Sequence, residues 1–197
     1  MNMWDEKFKN ETYVYGTEAN QFIQKIHQKL VPGHILAIAE GEGRNAVFLA
    51  KEGHSVTTWD YATSGLEKTK QLAKQNDVNV ETELINLLEA NWESEKWDSI
   101  INVFGHFYED DQYTILSNVK KALKSGGTFA MEVYSTEQLA YGTGGPKDAK
   151  MLYKPEAVLQ LFKDWSIIHF FYGEAIRHEG ISHTGNCHVI QLLVKKP

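Results

Sequence analysis

Apolar residues recur at two alternating spacings along the chain. Compact runs such as Ile35 to Ile38 and Asp98 to Phe104 have the doubly apolar character of strands covered on both faces. Between them, apolar positions fall at helical spacing: Phe22, Ile23, Ile26 and Leu30 before the stop at Pro32-Gly33, then Ala46, Val47, Leu49 and Ala50 in a helix from about Arg44 to Glu52. A strand His54 to Trp59 follows, then a helix starting at Thr63 or Ser64 with Leu66 and Leu72 inward, and a strand within Val78 to Ile85. After Asp98 to Phe104 comes a helix Glu109 to Lys124 with Tyr113, Leu116, Val119 and Leu123 on one stripe. Ser125-Gly126-Gly127 stops it, and Thr128 to Tyr134 returns as strand.

This regular βα alternation predicts an α/β fold with a right-handed, doubly wound parallel sheet and helices on both faces. The last third departs from it. After the Tyr141 to Pro146 loop and a short helix Pro155 to Lys163, Trp165 to Tyr172 pairs with Gly185 to Val194 across a Glu179-Gly180 turn, giving a C-terminal antiparallel hairpin. No internal repeat or low-complexity tract interrupts the pattern.

The 197 residues, 42% hydrophobic and 23% charged, suit one domain with a substantial core. Residues 1–32 read as an N-terminal lid segment and a covering helix. Trp4, Phe8, Tyr13 and Tyr15 either close over a ligand or pack the first helix. A formal net charge of −6 without a Lys/Arg block argues against nucleic acid and anionic membranes as partners. A charged N-terminus, the single Cys187 and the lack of any apolar run of membrane-spanning length lead to the expectation of a cytoplasmic protein. Oligomeric state is not legible.

In Ile35 to Asn45 a strand breaks on Gly41 and Gly43 and enters a helix N-terminus, where amide N–H groups and the helix dipole favour an anion. The second strand ends in Asp60, roughly 17 residues past Gly43 and near the offset of about 20 for an acid on ribose hydroxyls. Together these predict a nucleoside cofactor site beyond the carboxyl ends of the strands, where Asp60, Asn86 and Phe104 to Phe107 fall. Gly41-Glu42-Gly43-Arg44-Asn45-Ala46 also satisfies the dinucleotide fingerprint, so an NAD(P)-dependent reductase is an alternative. Against it stands the absence of chain for a substrate domain.

The Ile35 to Asn45 pattern, Asp60, Leu-Lys-Ser-Gly-Gly at Leu123 to Gly127 and the closing hairpin resemble a class I S-adenosylmethionine-dependent methyltransferase. Tyr13 to Thr17, Gly43-Arg44-Asn45 and Tyr141 to Pro146 are similar to the tellurite-resistance type. The resemblance implies a Rossmann-like seven-stranded sheet with only the last strand antiparallel. It implies S-adenosylmethionine as cofactor and a small-molecule acceptor, a chalcogen oxyanion or thiol.

In that reading the methionine carboxylate lies on the amides of Gly41 to Gly43, the ribose on Asp60, and the adenine among Tyr61, Asn86 and Leu87. Asn45, Val103 and Phe104 complete the cofactor set. Ala37 and Ala39 replace the family's acid and first glycine, which motivates a second alternative, a non-catalytic nucleoside-binding module. Glu40 either holds the methionine ammonium or is a solvated turn residue. His106 either positions the reaction, with base catalysis secondary, or caps the next helix; Arg177 either binds an anionic acceptor or forms a surface ion pair. His178, His183, Cys187 and His188 match no standard zinc spacing, so no metal is expected.

Overall fold

The computed structural model describes residues 2–197. A seven-stranded sheet runs in the order β3-β2-β1-β4-β5-β7-β6. Its strands are β1 (His34–Ile38), β2 (Ser55–Asp60), β3 (Glu81–Leu84), β4 (Trp97–Val103), β5 (Leu123–Tyr134), β6 (Ser166–Glu179) and β7 (His183–Lys195). The first five are parallel to one another, and β7 runs antiparallel to both β5 and β6.

Strand side chains alternate between faces, so the central strands supply two cores at once. Leu36, Ile38, Ile100, Phe129 and Met131 pack under α5 (Glu109–Ala122) and α6 (Pro155–Leu161). Ile35, Ala37, Ile101, Val103 and Ala130 pack under α2 (Gln21–Ile26), α3 (Arg44–Lys51) and α4 (Thr63–Gln75). This is the doubly wound arrangement expected from the sequence.

Local differences have local causes. The Phe22 to Leu30 stripe is an α-helix only to Ile26 and continues as a 3-10 turn, His27–Lys29, ahead of Pro32. The Val78 to Ile85 strand shrinks to β3, an edge strand whose Glu81 and Glu83 face solvent and discourage edge-to-edge pairing. Ser125 to Gly127 does not separate α5 from a later strand. It lies inside β5 as an irregularity, because pairing jumps from Trp97 with Leu123 to Ser99 with Thr128. The segment before Tyr13 contains an unexpected helix, α1 (Met3–Phe8), whose Asn2 side chain caps it by accepting from Asp5 N–H at 2.8 Å. β6 extends past Tyr172 to Glu179, because its pairing with β7 continues to Glu179 opposite His183.

That extension buries charge. Arg177 reaches Glu132 on β5 with Nε donating to Oε1 at 2.9 Å, and a second guanidinium bond makes the pair bidentate. Glu132, wholly buried, also accepts from Asn20 at 2.8 Å and Gln191 at 2.6 Å. Beside it Arg44 Nη2 lies 2.7 Å from Glu179 Oε2. Arg177 is therefore a buried structural cation, not a surface ion pair. Arg177→Leu leaves Glu132 buried without its cation, and we expect it to lower unfolding free energy by about 3–5 kcal/mol, read from denaturant midpoints.

Candidate functional site

A cavity of about 110 Å³ opens at the carboxyl ends of β1, β2 and β4. Ala39 to Gly41 form its floor after β1, Asp60 and Tyr61 enter after β2, and Val103 to Phe107 enter after β4. Arg44 and Asn45 line it from α3, Trp4, Phe8 and Tyr15 from the N-terminal segment, and His183 from the hairpin. Ordinary small-molecule sites hold roughly 300–1,000 Å³, so these aromatic side chains fill much of the available space. Phe8 stands directly over Gly41: a Cβ there would meet its ring at 3.1 Å. Trp4, Phe8 and Tyr15 thus cover the floor, whereas Tyr13 packs on α4 and donates to the Lys68 carbonyl at 3.1 Å.

The glycine turn is wired internally. Glu40 folds back onto the start of α3, its Oε1 accepting from the N–H groups of Asn45 at 2.8 Å and Ala46 at 2.9 Å. Those first-turn amides, expected to meet a ligand anion, are satisfied by the protein's own carboxylate. Asp60 Oδ2 accepts from Gly41 N–H and Oδ1 from Ala62 N–H, both at 2.8 Å. Burial raises the affinity of both carboxyls for protons, and the amide donors oppose it. A carboxylate has about four lone-pair positions, so Asp60 keeps acceptor capacity toward the cavity. Gly43 serves another purpose. Its φ of 86° and a hypothetical Cβ only 2.5 Å from Thr69 Cγ2 show that it lets α3 approach α4, and it does not line the cavity.

Two non-glycine residues at the rim adopt left-handed backbone, Ala39 at φ 50° and Phe104 at φ 55°. Such conformations cost about 1–3 kcal/mol and persist where the surroundings impose them. Here Ala39 N–H is tied to Trp59 O and Phe104 N–H to Glu132 O, each at 2.8 Å. The bend at Phe104 puts its ring against Tyr134 at 4.5 Å and His183 at 4.3 Å between centroids.

His106 lines the cavity with both ring nitrogens engaged. Nδ1 lies 3.0 Å from the Met151 carbonyl, and Nε2 accepts from Tyr134 N–H at 3.3 Å. A carbonyl can only accept, so Nδ1 carries the proton and the ring is neutral. Desolvation pushes its pKa down to about 4, which the Met151 bond only partly opposes. His106 is built to be held in place, with no free lone pair for proton abstraction.

The structure does not bring Arg177, Asn86 or Leu87 to the cavity lining. Arg177 is consumed by Glu132 as described. Asn86 Oδ1 accepts from Leu88 N–H at 3.1 Å, and Leu87 is buried in the core with its carbonyl accepting from Trp92 Nε1 at 3.0 Å. Both close the β3 loop on itself. Among the described residues no cluster of His, Cys, Asp or Glu could hold a metal, and no helix is long and apolar enough to cross a membrane. Sequence reasoning weighed His183 only as a metal ligand and passed over Arg44 as a lining residue. His183 shares strand parity with Cys187 and Val189, both buried, a signal that it points inward.

These features can be set against known proteins. The family described as tellurite resistance protein TehB matches residues 1–187. The chain belongs to this family. A curated Haemophilus influenzae relative, "Probable S-adenosyl-L-methionine-dependent methyltransferase TehB", is 23% identical over 142 residues, covering 71% of this chain and 48% of the relative. The chain thus spans about half the length of the curated relatives it matches. The structure of TehB from Haemophilus influenzae superposes with a TM-score of 0.76 at 18% identity, covering 98% of this chain and 66% of that one. A protein solved in work on conversion of a disulfide bond into a thioacetal group during echinomycin biosynthesis gives 0.80 at 15%, covering 98% and 90%. Magnesium protoporphyrin IX methyltransferase from Synechocystis, with bound SAH, gives 0.67 at 13%, covering 93% and 91%. These likenesses establish a shared fold.

Ala39→Gly relieves a left-handed alanine, and we expect a gain of about 1 kcal/mol in denaturant unfolding, the strain relief exceeding the added chain entropy. A histidine whose folded pKa is depressed stabilises the fold above its unfolded pKa and loses that contribution as pH falls. Between pH 6.5 and about 4, the thermal midpoint of the native chain should therefore fall further than that of His106→Gln, which lacks the titrating ring.

Proposed function

We propose that this protein is an S-adenosylmethionine-dependent methyltransferase acting in the cytoplasm on a small soft nucleophile, a chalcogen oxyanion or a thiol. The observation that carries this reading is Asp60. It sits at the carboxyl end of β2, anchored by Gly41 and Ala62, with acceptor capacity left facing the cavity beside Tyr61. Membership of the TehB family and the methyltransferase name of the curated relatives support it.

The lining fits such a cofactor. Asp60 accepts the ribose hydroxyls, and Tyr61, 45% exposed, offers a ring face to the adenine. Arg44 is the cation lining the cavity and faces the methionine carboxylate, a role we assign to it in place of the amides that Glu40 and Asp60 already occupy. Glu40 faces the ammonium, with Gly41 giving close backbone approach and Asn45 holding Glu40 through Nδ2 at 3.3 Å. Val103, Phe104 and Tyr15 surround the sulfonium, where aromatic faces attract a positive charge. Only the carboxylate leaves the position expected from sequence, because the Gly41 amide is taken by Asp60 and the start of α3 by Glu40. Gly43 supports the turn through α4, and Asn86 and Leu87 frame the β3 loop behind Tyr61. Residues 1–32 supply the lid and covering helix of a single catalytic domain.

Held by Asp60, Arg44 and Glu40, S-adenosylmethionine would supply an electrophilic methyl group to the acceptor's lone pair and would depart as S-adenosylhomocysteine. The protein's part is alignment and exclusion of water, worth several kcal/mol when the attack geometry is held. With Glu40 and Asp60 on backbone amides and His106 neutral and doubly bonded, none of these three groups is poised to remove a proton. That favours an acceptor that arrives already ionised, and it makes His106 a positioning residue.

Calorimetry should show saturable binding of S-adenosylmethionine and S-adenosylhomocysteine and none of NADPH. Gly41→Val, placed at φ 66° under Phe8, should abolish that binding. S-adenosylhomocysteine formation with tellurite, selenite or a small thiol reports turnover. His106→Ala should lower it about tenfold or more while cofactor affinity changes little. Unchanged turnover in His106→Ala removes the positioning role, and native protein without cofactor binding removes the methyltransferase reading.

A further inference from the structure

A second and larger cavity lies on the other side of the loop that follows β4. It holds about 430 Å³, within the roughly 300–1,000 Å³ of ordinary small-molecule sites, and opens between α5, α6 and the Ala149–Met151 turn. No residue lines both cavities, so a molecule bound here is not a reactant in the first. Leu116, Leu152, Tyr153 and Val158, all buried, form an apolar floor. Tyr113 lies one turn before Leu116 on the same face of α5, yet it is 68% exposed at the cavity wall. Its ring offers a flat ligand an open face.

The polar groups select the chemistry of an occupant. Gln112 is 9% exposed, and its Nε2 donates to the carbonyls of Phe107 at 2.8 Å and Leu152 at 3.4 Å, which uses both of its protons. Its Oε1 receives no donor among the described residues, yet it is not sealed from solvent, and Gln112 lines only this cavity. That oxygen is an acceptor waiting for a donor. The charged lining residues balance: Glu109 is paired with Lys154 at 2.8 Å, and Asp110 and Lys150 add one charge of each sign. The walls therefore concentrate neither anions nor cations.

We propose that this cavity is a second binding site, taking an uncharged planar aromatic molecule with one N–H or O–H donor, and that His106 registers its occupancy. The donor meets Gln112 Oε1 and the ring lies between Tyr113 and the apolar floor. The same walls fasten the loop Gly105 to Phe107, which lines the first cavity. Tyr153 Oη donates to the Gly105 carbonyl at 3.1 Å, Gln112 holds the Phe107 carbonyl, and Met151, between the lining residues Lys150 and Leu152, accepts from His106 Nδ1 at 3.0 Å. All three fastenings of the loop come from the second cavity or its immediate neighbour. A ligand that shifts Gln112 or Leu152 thus shifts the hydrogen bond that holds His106. The inference does not depend on the methyl-transfer reading.

The test uses indole, which is uncharged, flat and carries one N–H, titrated into the free protein while the histidine imidazole resonances are followed by NMR. His106→Gln identifies the His106 signal. Ala157, exposed on α6 at the cavity wall, is replaced in Ala157→Trp, which fills the cavity from a position where a large side chain leaves the core intact. Tyr113→Ala removes the stacking face. We expect saturable indole binding, about millimolar or tighter, with a shift of the His106 signal. Either substitution should weaken binding about tenfold or more at an unchanged thermal midpoint, and 1-methylindole, which lacks the donor, should bind about threefold or more weakly. No saturable indole binding to the native chain overturns the proposal, as does equal affinity in native, Ala157→Trp and Tyr113→Ala protein. Benzoate binding more tightly than indole overturns the uncharged class, equal affinity for 1-methylindole overturns the role of Gln112, and indole binding with an unmoved His106 signal overturns the coupling.

Discussion

Two arginines and two glutamates buried beside the cavity hold this molecule in register. Arg177 and Glu179 come from β6, Glu132 from β5 and Arg44 from α3, and Asn20 at the start of α2 bonds both acids. A buried charge is tolerable only with its partner and further hydrogen bonds in place, so the four elements can meet in one way. The carbonyl of Glu132 holds Phe104 in its left-handed bend, and Glu179 holds Arg44 at the cavity edge. The ion network therefore sets the position of two lining residues, Arg44 as a member and Phe104 through its backbone.

The turn after β1 follows similar logic on a smaller scale. Its acidic side chains meet backbone amides or Lys68 before any ligand arrives: Glu40 at α3, Asp60 at Gly41 and Ala62, Glu42 at Lys68 and Val14. The floor is rigid as a result, and its remaining recognition capacity lies in unused lone pairs, aromatic faces and Arg44. A site with this character gains more by holding reactants than by exchanging protons with them. The neutral, doubly bonded His106 belongs to the same design.

The N-terminal segment adds a cover. Asn2 Nδ2 donates to Tyr61 O at 2.7 Å, and Asp5 accepts from Ser64 N–H at 3.1 Å, fastening α1 across the start of α4. Phe8 then lies on Gly41, where a Cβ would crowd the ring at 3.1 Å. These fastenings are few and near the surface, whereas those of the hairpin are buried. Opening for a ligand of nucleoside size is therefore easier at α1 than at β6 and β7.

What the sequence determined by itself is whatever local pattern encodes. Periodicity placed the strands and helices and the doubly wound order, because each strand shows two faces and each helix one stripe. Glycines and the strand-end Asp60 marked the end of the sheet where the cavity lies. Tertiary structure alone decided which polar groups remain available there, since a carboxylate looks the same in sequence whether an amide or a ligand will meet it. Glu40 and Gly43 turned inward to support the fold, and Arg177 left the list of accessible cations because Glu132, 45 positions away, lies beside it in the sheet. His183 entered the site because pairing of β6 with β7 continues to Glu179, carrying the hairpin over the cavity, a consequence of long-range pairing that no window of neighbouring residues contains.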